Sequence, residues 1–127
     1  MKLRIKGNSM RLRISRSEVT RLLEGDCLEE TIRFAPEPCA RFTYALQQDR
    51  LVSRPTVEYT ENRVAVLLPA DQVNAWGITD QIGIAEDINL GDLGTLAILI
   101  EKDFACLDRS DEANEDTFPN PNAGTTC

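Results

Sequence analysis

A strict alternation of charged and aliphatic residues at the start of the chain constrains its fold more than any other sequence feature. The stretch from Lys2 to Ser15 reads KLRIKGNSMRLRIS. Side chains of a β-strand alternate between its two faces, so this pattern predicts two half-buried strands. Gly7 and Asn8 lie between them and suit a two-residue hairpin loop, because both tolerate positive φ. The chain is therefore expected to open with an antiparallel hairpin.

This hairpin would gather positive charge on one side. A two-residue loop places Arg4 opposite Arg11 and Lys2 opposite Arg13, with Lys6 beside the loop. Like charges directly opposite each other in an antiparallel pair are unfavourable, each by about 0.2–1 kcal/mol. Such a surface also concentrates anions from solution. We call these five residues, Lys2, Arg4, Lys6, Arg11 and Arg13, the basic face and predict that it binds an anion.

Three occupants of the basic face are possible from the sequence. Solvent or acids of neighbouring strands could cover it, with Glu29, Glu30 and Glu58 as candidates. The acidic C-terminal tail could lie across it, helped by the high effective concentration of a tethered group. An external anion could bind it: a phosphorylated ligand, an acidic protein or nucleic acid. Nucleic acid is the least favoured, since no aromatic residue accompanies the cations to stack on bases.

The rest of the chain alternates short strands with two short helices. Ser15 and Glu18 form a capping box that predicts a helix ending near Gly25. Pro69 precedes a second helix, from Ala70 to about Trp76. Further strands are predicted at about Glu30–Phe34, Phe42–Leu46, Val57–Tyr59, Val64–Leu68, Ile82–Ile84 and Thr95–Ile100. The prediction is an α+β fold, mostly antiparallel β, with about eight strands in a partly open barrel and two short helices.

The order hairpin, helix, strand pair occurs twice, so residues 1–50 and 55–102 are candidates for an internal repeat. At 127 residues the chain fits one domain, which we place at 1–108. Residues 109–127 form an acidic, Pro- and Asn-rich tail that is either solvated or docked on the domain. Residues 1–21 carry seven Lys or Arg against one acid, whereas residues 101–127 carry seven acids against two bases.

The absence of histidine weighs against an enzyme. It removes the commonest general base and the commonest transition-metal ligand. No catalytic residue and no cofactor are predicted. The four cysteines have no close pair, so free thiols are expected, with one alternative: a structural metal site using Cys106, Cys127, Asp103 and Asp108.

Neither a membrane span nor a signal-peptide core is visible, so a cytoplasmic protein without a membrane partner is expected. The sequence does not determine the oligomeric state.

Two resemblances add to this picture. Residues Asn62–Glu86 resemble the strand–helix–strand unit of AbrB-type transcription factors, although the unit is acidic here and its turn reads ITDQ; the resemblance implies a small barrel-like β fold. More of the chain resembles a family of small uncharacterised bacterial proteins, a domain of unknown function. That resemblance is carried by Met1–Val19, Leu28–Phe34, Phe42–Leu46, Trp76, Ile98–Asp108 and Pro119–Cys127. It implies no activity, and it implies that the tail belongs to the design of the family.

The prediction for function is a non-enzymatic interaction or regulatory protein of the bacterial cytoplasm that binds an anionic partner or its own tail through the basic face. The alternatives are an enzyme acting on a phosphorylated small molecule and the structural metal site.

Overall fold

The structure is a computed structural model that describes residues 1–104 and 116–119. Within these ranges it contains eight strands, two α-helices and one 3-10 turn. In chain order they are β1 (Lys2–Lys6), β2 (Ser9–Ile14), α1 (Arg16–Leu23), β3 (Leu28–Arg33), β4 (Arg41–Asp49), β5 (Thr56–Thr60), β6 (Arg63–Pro69), α2 (Ala70–Gly77), β7 (Gly83–Asn89), the 3-10 turn (Gly91–Leu93) and β8 (Thr95–Lys102).

The strands form two four-stranded sheets, in the orders β1-β2-β8-β7 and β3-β4-β6-β5. Each sheet joins the hairpin of one half of the chain to the strand pair of the other half. The central contacts, β2 with β8 and β4 with β6, are parallel, whereas the outer pairs are antiparallel. The halves are therefore interlocked, because neither completes a sheet without the other.

The predicted repeat has a structural counterpart in this topology. Each half runs hairpin, helix, strand pair, and the two hairpins share one register, with Leu3 opposite Leu12 and Val57 opposite Val66. The central pairings also share one register, since Ile14 lies beside Lys102 in one sheet and the equivalent Leu68 lies beside Gln48 in the other.

The core lies between the sheets and under the two helices. Leu22 of α1 and Trp76 of α2 are fully buried there. Burying an aliphatic or aromatic side chain of this size contributes about 1.5–3 kcal/mol, so these positions anchor the helices. The core cluster consists of Leu12, Ile14, Val19, Leu22, Leu28, Leu46, Val66, Leu68, Val73, Trp76, Ile84, Ile98 and Ile100.

The α+β class, the eight strands and the two helices are confirmed. The expected capping box is present, with Ser15 and Glu18 at the start of α1. The expected partly open barrel takes the form of two sheets that do not close on each other in the described residues. Two ion pairs link the two sheets near their edges: the N-terminal ammonium of Met1, before β1, contacts Glu30 of β3 at 3.6 Å, and Arg54, before β5, contacts Glu86 of β7.

Candidate anion-binding face

The β1–β2 hairpin has the predicted register. Lys2 lies opposite Arg13, Arg4 opposite Arg11 and Lys6 opposite Ser9. Because Leu3 and Leu12 of the same strands pack into the core, the alternating cations lie on the outer face of their sheet. The structure therefore brings all five predicted residues of the basic face together on one surface.

A carboxylate from β8 lies among these cations. The parallel pairing of β2 with β8 sets Glu101 level with Arg13. Its Oε1 accepts hydrogen bonds from Arg11 and, at 3.2 Å, from Nε of Arg13. One acid thus holds two neighbouring guanidinium groups and reduces their mutual repulsion.

The end of the hairpin is also paired. The Lys2 ammonium contacts Oδ2 of Asp103 at 3.1 Å, just past the end of β8. Beside this pair is a cleft of about 280 Å³ in which Lys2 and Arg13 meet three carboxyl groups. The residues that line it are Met1, Lys2, Arg13, Ser15, Ser17, Glu18, Asp103 and Asp116.

Two cations of the basic face are not neutralised in this way. Among residues 1–104 and 116–119, Arg4 and Lys6 have no ion-pair partner. A shallow cavity of about 120 Å³ lies over the same stretch, lined by Lys2, Leu3, Arg4, Arg11 and Arg13. Five cations with two carboxylate partners leave a surface of net positive charge in an acidic protein.

The prediction that acids of neighbouring strands cover the basic face named the wrong residues. Glu29 and Glu30 lie on β3 and Glu58 lies on β5, in the other sheet, and Glu29 pairs instead with Arg63. The partners of the basic face come from the end of β8, more than 80 residues away along the chain. Local patterns carry no signal for such a parallel contact, which explains why Glu101 was missed.

The described part of the tail docks next to the basic face. Asp116 accepts hydrogen bonds at the first turn of α1, from the backbone N–H of Ser17 at 2.9 Å and from its hydroxyl at 2.6 Å. The hydrogen bond from the Ser17 side chain is the main cause that lowers the pKa of Asp116. Farther along the tail, the backbone N–H of Phe118 donates a hydrogen bond to the backbone carbonyl of Asp103 at 2.9 Å. The predicted tail, 109–127, otherwise lies outside the described residues.

The predicted metal site is described only in part. Asp103 is described and pairs with Lys2, whereas Cys106, Asp108 and Cys127 lie outside the described residues. Among the described residues, no three Cys, Asp or Glu side chains are close enough together to hold a metal ion. Cys27 and Cys39 are exposed residues with free thiols. The sulfur of Cys27 is still partly shielded from water, and this partial burial is the main cause that raises the pKa of Cys27.

None of the helices in the described part of the chain is long and apolar enough to cross a membrane.

Comparison with known proteins identifies a family. The model of a family described as a family of unknown function (DUF7009) matches residues 1–122. No curated protein matches the chain, and no solved structure does.

Proposed function

The chain belongs to the family of unknown function DUF7009, and since that family brings no activity with it, we propose a role from the surface of the chain itself. The role is that of a non-enzymatic interaction or regulatory protein of the bacterial cytoplasm whose basic face binds an anionic partner. One observation carries the proposal: Arg4 lies opposite Arg11 on an outer face where Arg4 and Lys6 have no ion pair among the described residues.

The shape of the surface favours an extended partner. Its cations follow two adjacent strands, and successive residues on one face of a strand are about 6–7 Å apart. The cavity above them is only about 120 Å³, well below the roughly 300–1,000 Å³ typical of sites that enclose small ligands. An acidic polypeptide segment or a polyphosphate chain can contact several such cations at once.

Inorganic polyphosphate is the probe for the first experiment, measured by isothermal titration calorimetry with the full chain at low and physiological salt. The test variant is Arg4→Gln/Arg11→Gln. The matched control is Arg33→Gln/Arg41→Gln, which removes two cations that also lie opposite each other, in β3 and β4. We expect the test variant to bind polyphosphate about tenfold more weakly. Its affinity should also depend less on salt, because binding through fewer cations releases fewer counterions from the polyphosphate. Equal losses in both variants, or no binding by the wild type, would refute the proposal.

The tail of the same molecule is the competing occupant. A variant with Asp111, Glu112 and Glu115 changed to Asn, Gln and Gln removes three tail acids and keeps the chain length. If the tail covers the basic face, this variant binds polyphosphate more tightly than the wild type. Unchanged affinity would assign the face to an external partner.

A second candidate function is an enzyme acting on a phosphorylated small molecule, favoured by the cleft of about 280 Å³ in which Lys2 and Arg13 meet carboxyl groups. Phosphoserine with and without Mg²⁺ is a suitable probe. Binding that is lost in Lys2→Gln and retained in Arg4→Gln would favour this candidate over the extended face. The structural metal site is the remaining alternative, and elemental analysis of the purified protein tests it directly.

A further inference from the structure

A second feature lies on the opposite side of the β8 strand from Glu101. Lys102, the last residue of β8, points inward and is only 5% exposed. Its ammonium donates a hydrogen bond to the backbone carbonyl of Thr79 at 2.7 Å. It also lies 5.3 Å from the ring centre of Phe118 and 6.0 Å from that of Trp76. An almost fully buried lysine is rare unless it is paired, which makes this residue unusual.

The charge of Lys102 is incompletely matched. An ammonium group has three donors, and the structure gives one hydrogen-bond acceptor and no ion pair for it among residues 1–104 and 116–119. Burial is the main cause that lowers the pKa of Lys102, and the nearby carboxylate of Asp80 offsets part of that effect. An anion placed next to this ammonium would gain a strong, poorly solvated partner.

A cavity of about 540 Å³ lies beside this ammonium. The residues that line it are largely apolar. Two of these residues, Ile78 and Ile82, are 73% and 51% exposed to solvent. Exposed apolar side chains grouped around a concave site are typical of a place where a ligand is bound. The lining residues are Gly77, Ile78, Thr79, Asp80, Ile82, Lys102, Phe104, Phe118 and Pro119.

The other half of the chain has different residues at the positions equivalent to Lys102 and Gly77, two of the residues that line this cavity. Gln48 takes the place of Lys102 and donates its amide to the carbonyl of Leu22 at 3.1 Å. The last residue of α1 is Leu23, whereas the last residue of α2 is Gly77, which lines the cavity. The fold thus accepts a neutral amide in place of Lys102, so the buried charge is specific to the second half.

We propose that this cavity, which we call the Lys102 cavity, binds a small carboxylic acid with an apolar body. The carboxylate pairs with the Lys102 ammonium, and the apolar body packs among Ile78, Ile82 and Phe118. The site is separate from the basic face, since Lys102 lies on the inner face of its sheet and Glu101 on the outer face. Phe118 belongs to the docked tail segment, so the bound acid also contacts the tail.

The test is a titration of the full chain with octanoate, followed by ¹H–¹⁵N NMR, with 1-octanol and octylammonium as controls for the charge. We expect saturable shifts confined to the backbone signals of Ile78–Ile82, Lys102–Phe104 and Phe118, and at least about tenfold weaker binding of both controls. No saturable octanoate binding, equal binding of octanol, or shifts confined to other parts of the molecule would overturn the proposal.

Two variants make the assignment specific. Lys102→Gln copies the residue of the equivalent position in the first half, and we expect it to weaken octanoate at least about tenfold while leaving octanol binding unchanged. Because this substitution affects a buried residue, a surface variant is added: Ile78→Glu places a carboxylate at the rim and is expected to repel octanoate. Its matched control is Ile5→Glu, at another exposed isoleucine, 61% exposed, away from the cavity. Octanoate affinity that is unchanged in Ile78→Glu would overturn the proposal.

The same titration separates this inference from the proposed function. Arg4→Gln/Arg11→Gln is expected to retain full octanoate affinity, because neither residue lines the Lys102 cavity. A loss of octanoate affinity in that variant would assign the carboxylate to the basic face and overturn the Lys102 site.

Discussion

The β1–β2 and β5–β6 hairpins take equivalent places in the two halves, yet they present different outer surfaces. Their inner positions agree in character, as Leu3 and Val57 show. On the outer side, β1–β2 carries the basic face, whereas β6 carries Ala65 and Leu67, which are buried in a small cluster with Val52. The topology therefore requires apolar residues inside but leaves the outer face free. The five cations are not needed to form a hairpin of this kind, which supports the proposal that they bind a partner.

The strand pairs that complete the two sheets differ in the same way. Gln48 donates to the backbone carbonyl of Leu22 in α1 at 3.1 Å, and Lys102 donates to that of Thr79, just after α2, at 2.7 Å. Only the second places a charge beside a cavity. Comparison of the halves thus separates what the fold needs from what has been added to it, and the following predictions test that separation.

The largest effect is expected from the helix residues that both halves bury. Trp76→Ala should reduce the free energy of unfolding by about 3–5 kcal/mol, because it removes a fully buried ring and its hydrogen bond to the Ile82 carbonyl. Leu22→Ala, at the equivalent place in α1, should cost less than Trp76→Ala but still at least about 2 kcal/mol. Urea unfolding followed by far-UV circular dichroism measures both. A cost below about 2 kcal/mol for Trp76→Ala would mean that α2 is not packed as described.

A smaller effect on stability is expected at Gly83, where the backbone of the neighbouring strand comes closer than at the equivalent position of the first half. A Cβ on Gly83 would lie 2.7 Å from the carbonyl oxygen of Ile100, so Gly83→Ala should destabilise the protein by about 1–3 kcal/mol. The equivalent residue in the first half is Cys27, which comes directly before β3 just as Gly83 comes directly before the buried Ile84 of β7. Cys27 is exposed. Cys27→Ala should therefore change stability by less than about 0.5 kcal/mol. Similar losses in the same unfolding assay would contradict the close approach at Gly83.

The start of α1 is stabilised by the side chain of Glu18, whereas α2 has no side-chain cap, and this difference should make the contribution of α1 to stability depend on pH. Burial opposes ionisation of Glu18, but hydrogen bonds from the Met1 ammonium and the Ser15 N–H outweigh it and lower the pKa of Glu18. Helix α2 has no side-chain cap at Pro69. Glu18→Gln should cost about 0.5–2 kcal/mol at pH 7.

The sign of the pH effect follows from the lowered pKa. Ionised Glu18 stabilises the fold above the unfolded pKa, about 4.5, and this contribution is lost as the pH falls through the lower folded value. The difference between wild type and Glu18→Gln should therefore shrink below about pH 4. Asp71→Asn, in the first turn of α2, is the control and should show little effect at either pH. A difference between wild type and Glu18→Gln that does not change with pH would contradict this role of the carboxylate.

The smallest effect on stability is expected at Glu101. Glu101→Gln should cost about 1 kcal/mol or less, since the ion pairs are partly exposed. Its effect on binding should be larger, because it frees Arg11 and Arg13 for an anion, and polyphosphate affinity should rise several-fold. Asp87→Asn removes one negative charge from β7 as a control. An equal gain in both variants would indicate a general charge effect rather than release of the basic face.

Local sequence patterns were sufficient for the elements and for the geometry of the first hairpin. The alternation around Gly7 and Asn8 predicted the register that places Arg4 opposite Arg11. The Ser15 and Glu18 pattern predicted the start of α1. These features depend on residues close together in the chain, which is why they could be read directly.

Contacts between distant parts of the chain were not predictable in this way. The role of Glu101 depends on the parallel pairing of β2 with β8, and the burial of Lys102 depends on Phe118 returning to cover it. How far the expected partly open barrel closes was not predictable either, because strand count does not determine whether sheet edges hydrogen-bond to each other. The register of the hairpin that carries the basic face was therefore predictable, whereas its acidic partners and the Lys102 cavity were not.

The exchange of strands between halves has a consequence for biosynthesis. The β1–β2 hairpin is translated early, but β8, the strand that completes its sheet, comes from residues 95–102. A nascent chain therefore cannot build either half as an early folding unit, and long-range pairing of this kind slows folding. We expect the hairpin to remain without its sheet until translation has passed β8, so that the cations of the basic face reach the ribosome exit as part of an unfolded segment.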